Sequence, residues 1–229
     1  MDSAIKRGKE LGISMYTLLG GEPVNPKTVP TIKYLLQNYS DNSFFVCTNG
    51  DYLASKPSEL EEIFMHDSMN IVLSIDASSA NIHDSIRGKS SHKNVVQVAN
   101  LLHQNKRVFG CITAIRPENY AEVTSSNYID WIISLGHSYI AYAFTDRITV
   151  DMQDAAMQKV NSFGKKPIFV YSSIYGPVGQ TSKEHLSRML TIDKYGNLLN
   201  TRRERMHIGT LDDDWSTLSS NGAWLKKFA

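Results

Sequence analysis

The chain has 229 residues, 41% hydrophobic and 21% charged, with a formal net charge of +1. That suits one sizeable globular domain, or a domain with a small appendage, and gives no general pull toward nucleic acid or membrane surfaces. No apolar run reaches transmembrane length, the N-terminus carries no apolar leader, and two cysteines exclude a disulfide framework. A cytoplasmic protein is the default expectation.

Asp2 to Leu11 reads as a polar, amphipathic helix, with Gly12 where a C-cap belongs. Ile13 to Leu19 is a short apolar run, as a buried strand should be. It closes in Gly20-Gly21-Glu22-Pro23, where glycines let the backbone approach a ligand and proline fixes φ beside one acid. Pro26 to Tyr39 has helical spacing through Val29, Ile32, Leu35 and Leu36, and Phe44 to Cys47 is a second strand ending in Thr48-Asn49-Gly50. Ser58 to His66 is a helix with Leu60, Ile63 and Phe64 on one face. Ile71 to Ile75 is a third strand, carrying Ser74 and Asp76 at its end, and the loop after it holds His83-Asp84 and Arg87-Gly88. Lys93 to Asn105 is a helix, Val108 to Ile115 a strand, Asn127 to Leu135 a helix with Trp131, and Ser138 to Phe144 a strand.

Beyond about residue 150 the pattern weakens. Asp151 to Phe163 is helical in spacing, Ile168 to Tyr171 is strand-like, and Ser173 to Lys183 is a loop. Met189 to Asp193 and Asn197 to Asn200 flank Lys194-Tyr195-Gly196 as a hairpin. Asp212-Asp213-Asp214 opens a closing helix that ends in Lys226-Lys227. Strand and helix in alternation predict right-handed βαβ units and a mostly parallel sheet, an open or barrel-like α/β fold. The polar residues listed at strand ends then share the face where such folds bind ligands. Glu22 suits an ammonium, Arg87 a carboxylate and Ser74 a sugar hydroxyl. Each also has a purely structural use: Thr48-Asn49-Gly50 makes a good turn, Asp76 can cap a helix, and Arg87 can pair with Asp84.

Taken together and in this order, these residues resemble the core of a radical SAM enzyme. Gly20-Gly21-Glu22-Pro23 is similar to that family's glycine-rich motif, which holds the methionyl amino group of S-adenosylmethionine. Thr48-Asn49-Gly50 is similar to the sequence often found after the next strand. Ser74-Ile75-Asp76 with His83-Asp84-Ser85-Ile86-Arg87-Gly88 resembles the branch that modifies peptides and proteins, in which the serine lies near the ribose and the arginine meets the cofactor carboxylate. The resemblance covers residues 1–150 as a (β/α) core. Residues 151–229, through Leu190 to Asn197 and His207 to Leu211, more weakly resemble that branch's SPASM or twitch extension. It implies a partial barrel missing its first strand, followed by a small hairpin-and-helix extension, and a peptide or protein substrate.

The family also uses a [4Fe-4S] cluster held by three cysteines spaced C-x3-C-x2-C. This sequence contains Cys47 and Cys111 only, both in apolar runs, and Thr201 to Arg205 occupies the region where an extension cysteine is expected. Three readings follow. The chain is a truncated or split enzyme whose cluster loop lies in another chain. Or it is a cluster-free, catalytically inactive descendant that binds S-adenosylmethionine, a nucleotide or a peptide, with Asp2 to Leu11 covering the open sheet edge. Or it is an unrelated α/β enzyme using Glu22 and Asp76 as acid and base. No histidine pair has metal-ligand spacing, and no phosphate loop or nucleophile elbow occurs. Arg202-Arg203-Glu204-Arg205 stands alone and includes an acid, so no nucleic-acid partner is expected.

Overall fold

The computed structural model describes residues 2–10, 12–18, 21–164, 168–170, 190–192, 197–200 and 206–214. Gly20, the 173–183 loop, the Lys194-Tyr195-Gly196 turn, Thr201 to Arg205 and the closing helix lie outside the described residues. The chain forms two compact units, Met15–Ser173 and Met1–Ser14 with Ile174–Ala229.

The larger unit is built on six parallel strands in sequential order: β1 (Met15–Leu18), β2 (Ser43–Thr48), β3 (Met69–Ser74), β4 (Phe109–Ile115), β5 (Tyr139–Phe144) and β6 (Ile168–Val170). Sequential order means that every crossover runs in the same direction. Right-handed connections then lay all the helices on one face, as in a barrel wall. The helices are α2 (Val29–Asn38), α3 (Asp51–Ser55), α4 (Pro57–Phe64), α5 (Ala80–Arg87), α6 (Ser91–Gln104), α7 (Tyr120–Val123), α8 (Ser126–Ser134) and α9 (Val150–Ser162). Both α9 and β6 belong to this unit, so its bounds run beyond residue 150, where the sequence pattern weakens. Among the described residues, no helix is long and apolar enough to cross a membrane.

The two faces of the sheet differ. Phe44, Val46, Ile71, Leu73, Phe109, Cys111, Ile140, Tyr142 and Phe144 are buried in the core. The alternate positions, Phe45, Cys47, Asn70, Ile112, Ala114, Tyr139 and Ala141, are half-buried. Register makes these one surface: Cys47 is level with Val72, Val72 with Gly110, and Gly110 with Tyr139. Gly110 gives way to its neighbour there, since a Cβ on it would lie 2.1 Å from the Tyr139 ring.

Three short helices escape the sequence pattern. Helices α3 and α7 are too short for periodicity to show, and α5 occupies what reads as a loop. The start of α5 is held from outside: the Glu122 carboxylate on α7 accepts from the N–H groups of Ser78 and Ser79 and from the Ser78 hydroxyl. These bonds fix the two residues that lead into α5.

The smaller unit contains α1 (Asp2–Glu10) and an antiparallel sheet of β7 (Leu190–Ile192), β8 (Asn197–Asn200) and β9 (Met206–Thr210). The expected hairpin is β7–β8, and β9 extends it. Arg7 of α1 donates to the Asp213 carbonyl at 2.7 Å. Residues 211–214 form a turn, with Asp213 Oδ2 accepting from Thr210 N–H at 2.7 Å.

Gly50 has φ of 80°, and a Cβ there would lie 3.4 Å from the Val95 Cα on α6. Gly50→Ala is therefore expected to lower stability by about 1–2 kcal/mol through left-handed strain alone; an unchanged urea midpoint would contradict this. His83 and His137 are both buried, and burial lowers each pKa to about 4, helped at His83 by the Arg87 charge. Because the folded pKa lies below the ordinary 6.5, the stability from the neutral rings is complete above that pH and lost as pH falls toward 4. The loss is about 3 kcal/mol per ring. Urea unfolding across this range should show a stability decline that is shallower in His137→Leu; identical slopes would refute the assignment.

Candidate functional site

Three loops leave the C-terminal ends of β1, β2 and β3 side by side. Between them lies a cavity of about 320 Å³, lined by Leu18, Gly21, Glu22, Pro23, Cys47, Asn49, Ser74 and Arg87. That volume is at the lower end of small-molecule sites. Of the sequence-predicted residues, Gly21, Glu22, Pro23, Asn49, Ser74 and Arg87 line the cavity. Thr48 and Asp76 stand behind it, and Gly20 is outside the described residues.

Glu22 is held by the turn it belongs to and by the next strand. Its Oε1 accepts from Val24 N–H at 3.0 Å and from the Thr48 hydroxyl at 2.5 Å, and its Oε2 accepts from Asn49 N–H at 2.9 Å. Thr48 is buried, and its hydroxyl also accepts from Gly50 N–H. A carboxylate has about four lone-pair sites, so Oε2 keeps capacity for one further donor. Asn49 commits its Oδ1 to Asp51 N–H at the start of α3, which leaves its amide N–H groups for the cavity.

Arg87 does not pair with Asp84. Asp84 instead accepts from Ser90 and His92 N–H, and these bonds lower its pKa. Arg87 reaches back from the last turn of α5 to Asp76, with Nε 2.7 Å from Oδ2 and Nη2 3.2 Å from Oδ1. Asp76 is 1% exposed and caps no helix. Its Oδ1 also accepts from Ala114 N–H on β4, its carbonyl accepts from the Asn119 amide, and its own N–H donates to His83 Nδ1 at 3.1 Å. One edge of the Arg87 guanidinium is thus fixed. Nη1 and the second Nη2 proton have no partner among the described residues and remain for a ligand carboxylate.

The wall therefore presents a carboxylate at Glu22, a guanidinium at Arg87 and a hydroxyl at Ser74. A zwitterion with a polyhydroxylated portion meets complementary groups there. Sequence reasoning missed Leu18 and Cys47 as lining residues, and His83 and Asn119 as supports. The period-two alternation in β2 is the signal that separates Cys47 from the buried Val46 and Thr48.

The thiols do not fit an iron–sulfur cluster. Cys47 is half-buried at the cavity, where burial raises its pKa. Cys111 is fully buried, with its pKa pushed up to about 12 by burial. Cys47 is level with Gly110 through Val72, so Cys111, one residue on, points to the opposite face. Among the described residues no three His, Cys, Asp or Glu side chains gather as a metal site.

No protein-family model and no curated protein matches this sequence. Solved structures do match. SuiB of Streptococcus suis, bound to S-adenosylmethionine, aligns with a TM-score of 0.68 at 11% identity, over 92% of this chain and 55% of its own. The anSMEcpe protein with bound AdoMet and Cp18Cys peptide aligns at 0.70 and 12% identity, over 99% of this chain and 73% of its own. A radical SAM methyltransferase from Sphaerobacter thermophilus aligns at 0.51 and 15% identity, over 75% of this chain and 55% of its own. The chain thus spans little more than half the length of SuiB. At these identities the likeness is one of architecture, and the architecture of this chain is the radical SAM fold.

Proposed function

We propose that the cavity at the ends of β1, β2 and β3 binds S-adenosylmethionine and that the protein acts with a peptide or protein as its second ligand. The observation that carries this reading is the pairing of Glu22 with Arg87 on one cavity wall of about 320 Å³. The ligand ammonium meets the remaining lone pair of Glu22, its carboxylate the outward N–H groups of Arg87, and a ribose hydroxyl Ser74. The amide of Asn49 supplies a further donor. The match to protein structures holding AdoMet, one of them together with a peptide, supports both ligands. Of residues 151–229, α9 and β6 belong to the sheet unit, and the part carrying β7, β8 and β9 is assigned to a SPASM-like or twitch-like extension.

When bound, a [4Fe-4S] cluster would supply reductive cleavage of the sulfonium. Cys47 and Cys111 point to opposite faces and cannot hold one, so this chain by itself binds the cofactor without cleaving it. Radical chemistry at this site requires thiolates from a separate polypeptide segment. In their absence the protein works as a binding module for S-adenosylmethionine.

Calorimetric titration with S-adenosylmethionine tests the reading. Micromolar binding is expected, weakened about tenfold or more (about 1.4 kcal/mol) in both Glu22→Ala and Arg87→Ala. 5′-Methylthioadenosine, which lacks both ligand charges, should be insensitive to either change. A folded wild-type protein that binds no S-adenosylmethionine overturns the proposal, and tighter binding of an unrelated nucleotide reassigns the cavity.

A further inference from the structure

His83 lines no part of the cavity, yet it is 0% exposed and touches the residue on which Arg87 depends. Its Nδ1 accepts the Asp76 N–H at 3.1 Å, which fixes the neutral tautomer with the proton on Nε2. That Nε2 is buried with no hydrogen-bond partner among the described residues. The ring is gripped by packing instead. It meets His92 edge-on, with centroids 5.5 Å apart at 75°, and His92 stacks on Trp131 at 5.7 Å and 11°. A fully buried polar ring thus makes one hydrogen bond among the described residues, and that bond goes to the backbone of Asp76.

A peptide unit is planar, so an acceptor on the Asp76 N–H sets the orientation of the Ile75–Asp76 plane. The Asn119 amide holds the Asp76 carbonyl at 2.7 Å. With both backbone groups fixed, the Asp76 side chain leaves the main chain in one direction, toward Arg87 and Ala114. We propose that His83 is a positioning residue: through the Asp76 backbone it aims the Asp76–Arg87 pair, and so sets how strongly the cavity recognises a ligand carboxylate. Protonation at Nδ1 would remove the acceptor, and the groups around the ring are Asp76, Arg87, His92 and Asp84.

The inference deepens the S-adenosylmethionine reading, and its test has one arm that needs no ligand. Arg87 Nε–H donates to a buried carboxylate, so its proton should exchange slowly with water in ¹⁵N-labelled protein. His83→Leu keeps the volume and removes the acceptor, and is expected to speed that exchange about tenfold or more, while the Leu73 amide stays protected. His83→Asn, whose Oδ1 occupies the place of Nδ1, should restore slow exchange. Should the leucine variant fail to fold, His83→Gln makes the same comparison, because its acceptor falls at the Nε2 position. Arg87 exchange within twofold of wild type in His83→Leu or His83→Gln overturns the proposal, as does an asparagine variant as fast as leucine.

The second arm compares S-adenosylmethionine with its decarboxylated analogue. His83→Leu should weaken the former about tenfold and the latter less than twofold, and equal losses would mean a merely structural histidine. Wild-type protein that binds neither ligand refutes the cofactor reading alone. The exchange arm still decides whether His83 positions Arg87.

Discussion

A carboxylate with almost no solvent contact sits at the junction of β3, β4 and α5, and the site is arranged around the need to satisfy it. Burying the Asp76 charge is unfavourable unless donors replace the lost water. Arg87 and the Ala114 amide supply them, each from a different element. The chain cannot satisfy Asp76 without bringing α5 back across the end of β3 and holding β4 in register. The same constraint fixes the charge of Arg87 at the cavity wall. An arginine anchored on one edge loses little freedom when a ligand takes the other, so the proposed recognition would be preorganised.

The opposite charge is built by a different device. Glu22 turns its carboxylate onto the Val24 and Asn49 amides and the Thr48 hydroxyl, so it organises its own turn and ties β1 to β2. The structural use of Gly21-Glu22-Pro23 and Thr48-Asn49-Gly50 is therefore compatible with the ligand binding proposed for them. Fewer than all the lone pairs of Glu22 are consumed by the fold. Gly50, at φ of 80°, turns the chain sharply enough for α3 to begin at the next residue, Asp51.

The alternation of apolar runs and helical spacing made the parallel sheet legible, because each long element has enough residues to display its period. Helix α5 was not legible. Ala80-Asn81-Ile82-His83 has little helical preference of its own, and its start is stabilised by Glu122, distant in sequence. The partner of Arg87 was hidden for a related reason: Asp84 is nearer in sequence, but Asp76 is the acid that burial leaves in need of a cation. Cys47 could be placed at the cavity only by tracking which residues of β2 face away from the helices. The pattern of a short apolar run conceals this when both faces carry apolar side chains. Asn119 carried no signal, and His83 stood in a motif without a sign of this role, since each acts on a main-chain group of Asp76.

The groups proposed to meet a zwitterion are those of Glu22, Asn49, Ser74 and Arg87, and none of them is a thiol. Recognition of the ligand charges and provision of a metal cluster are therefore separate physical tasks in this fold. Glu22 depends on the β1–β2 junction, and Arg87 depends on the β3–β4 junction with α5. Neither depends on a cysteine. Cys47 contributes a half-buried, poorly ionised thiol to the same wall and acts there as a small apolar surface between the two charges. A polypeptide can keep the first task intact whatever supplies the second, because the bonds that orient Glu22 and Arg87 are all internal to the sheet unit. The bonds that close the loops over β1, β2 and β3 are the bonds that aim the two charges, so the proposed complementarity rests on the stability of the fold itself.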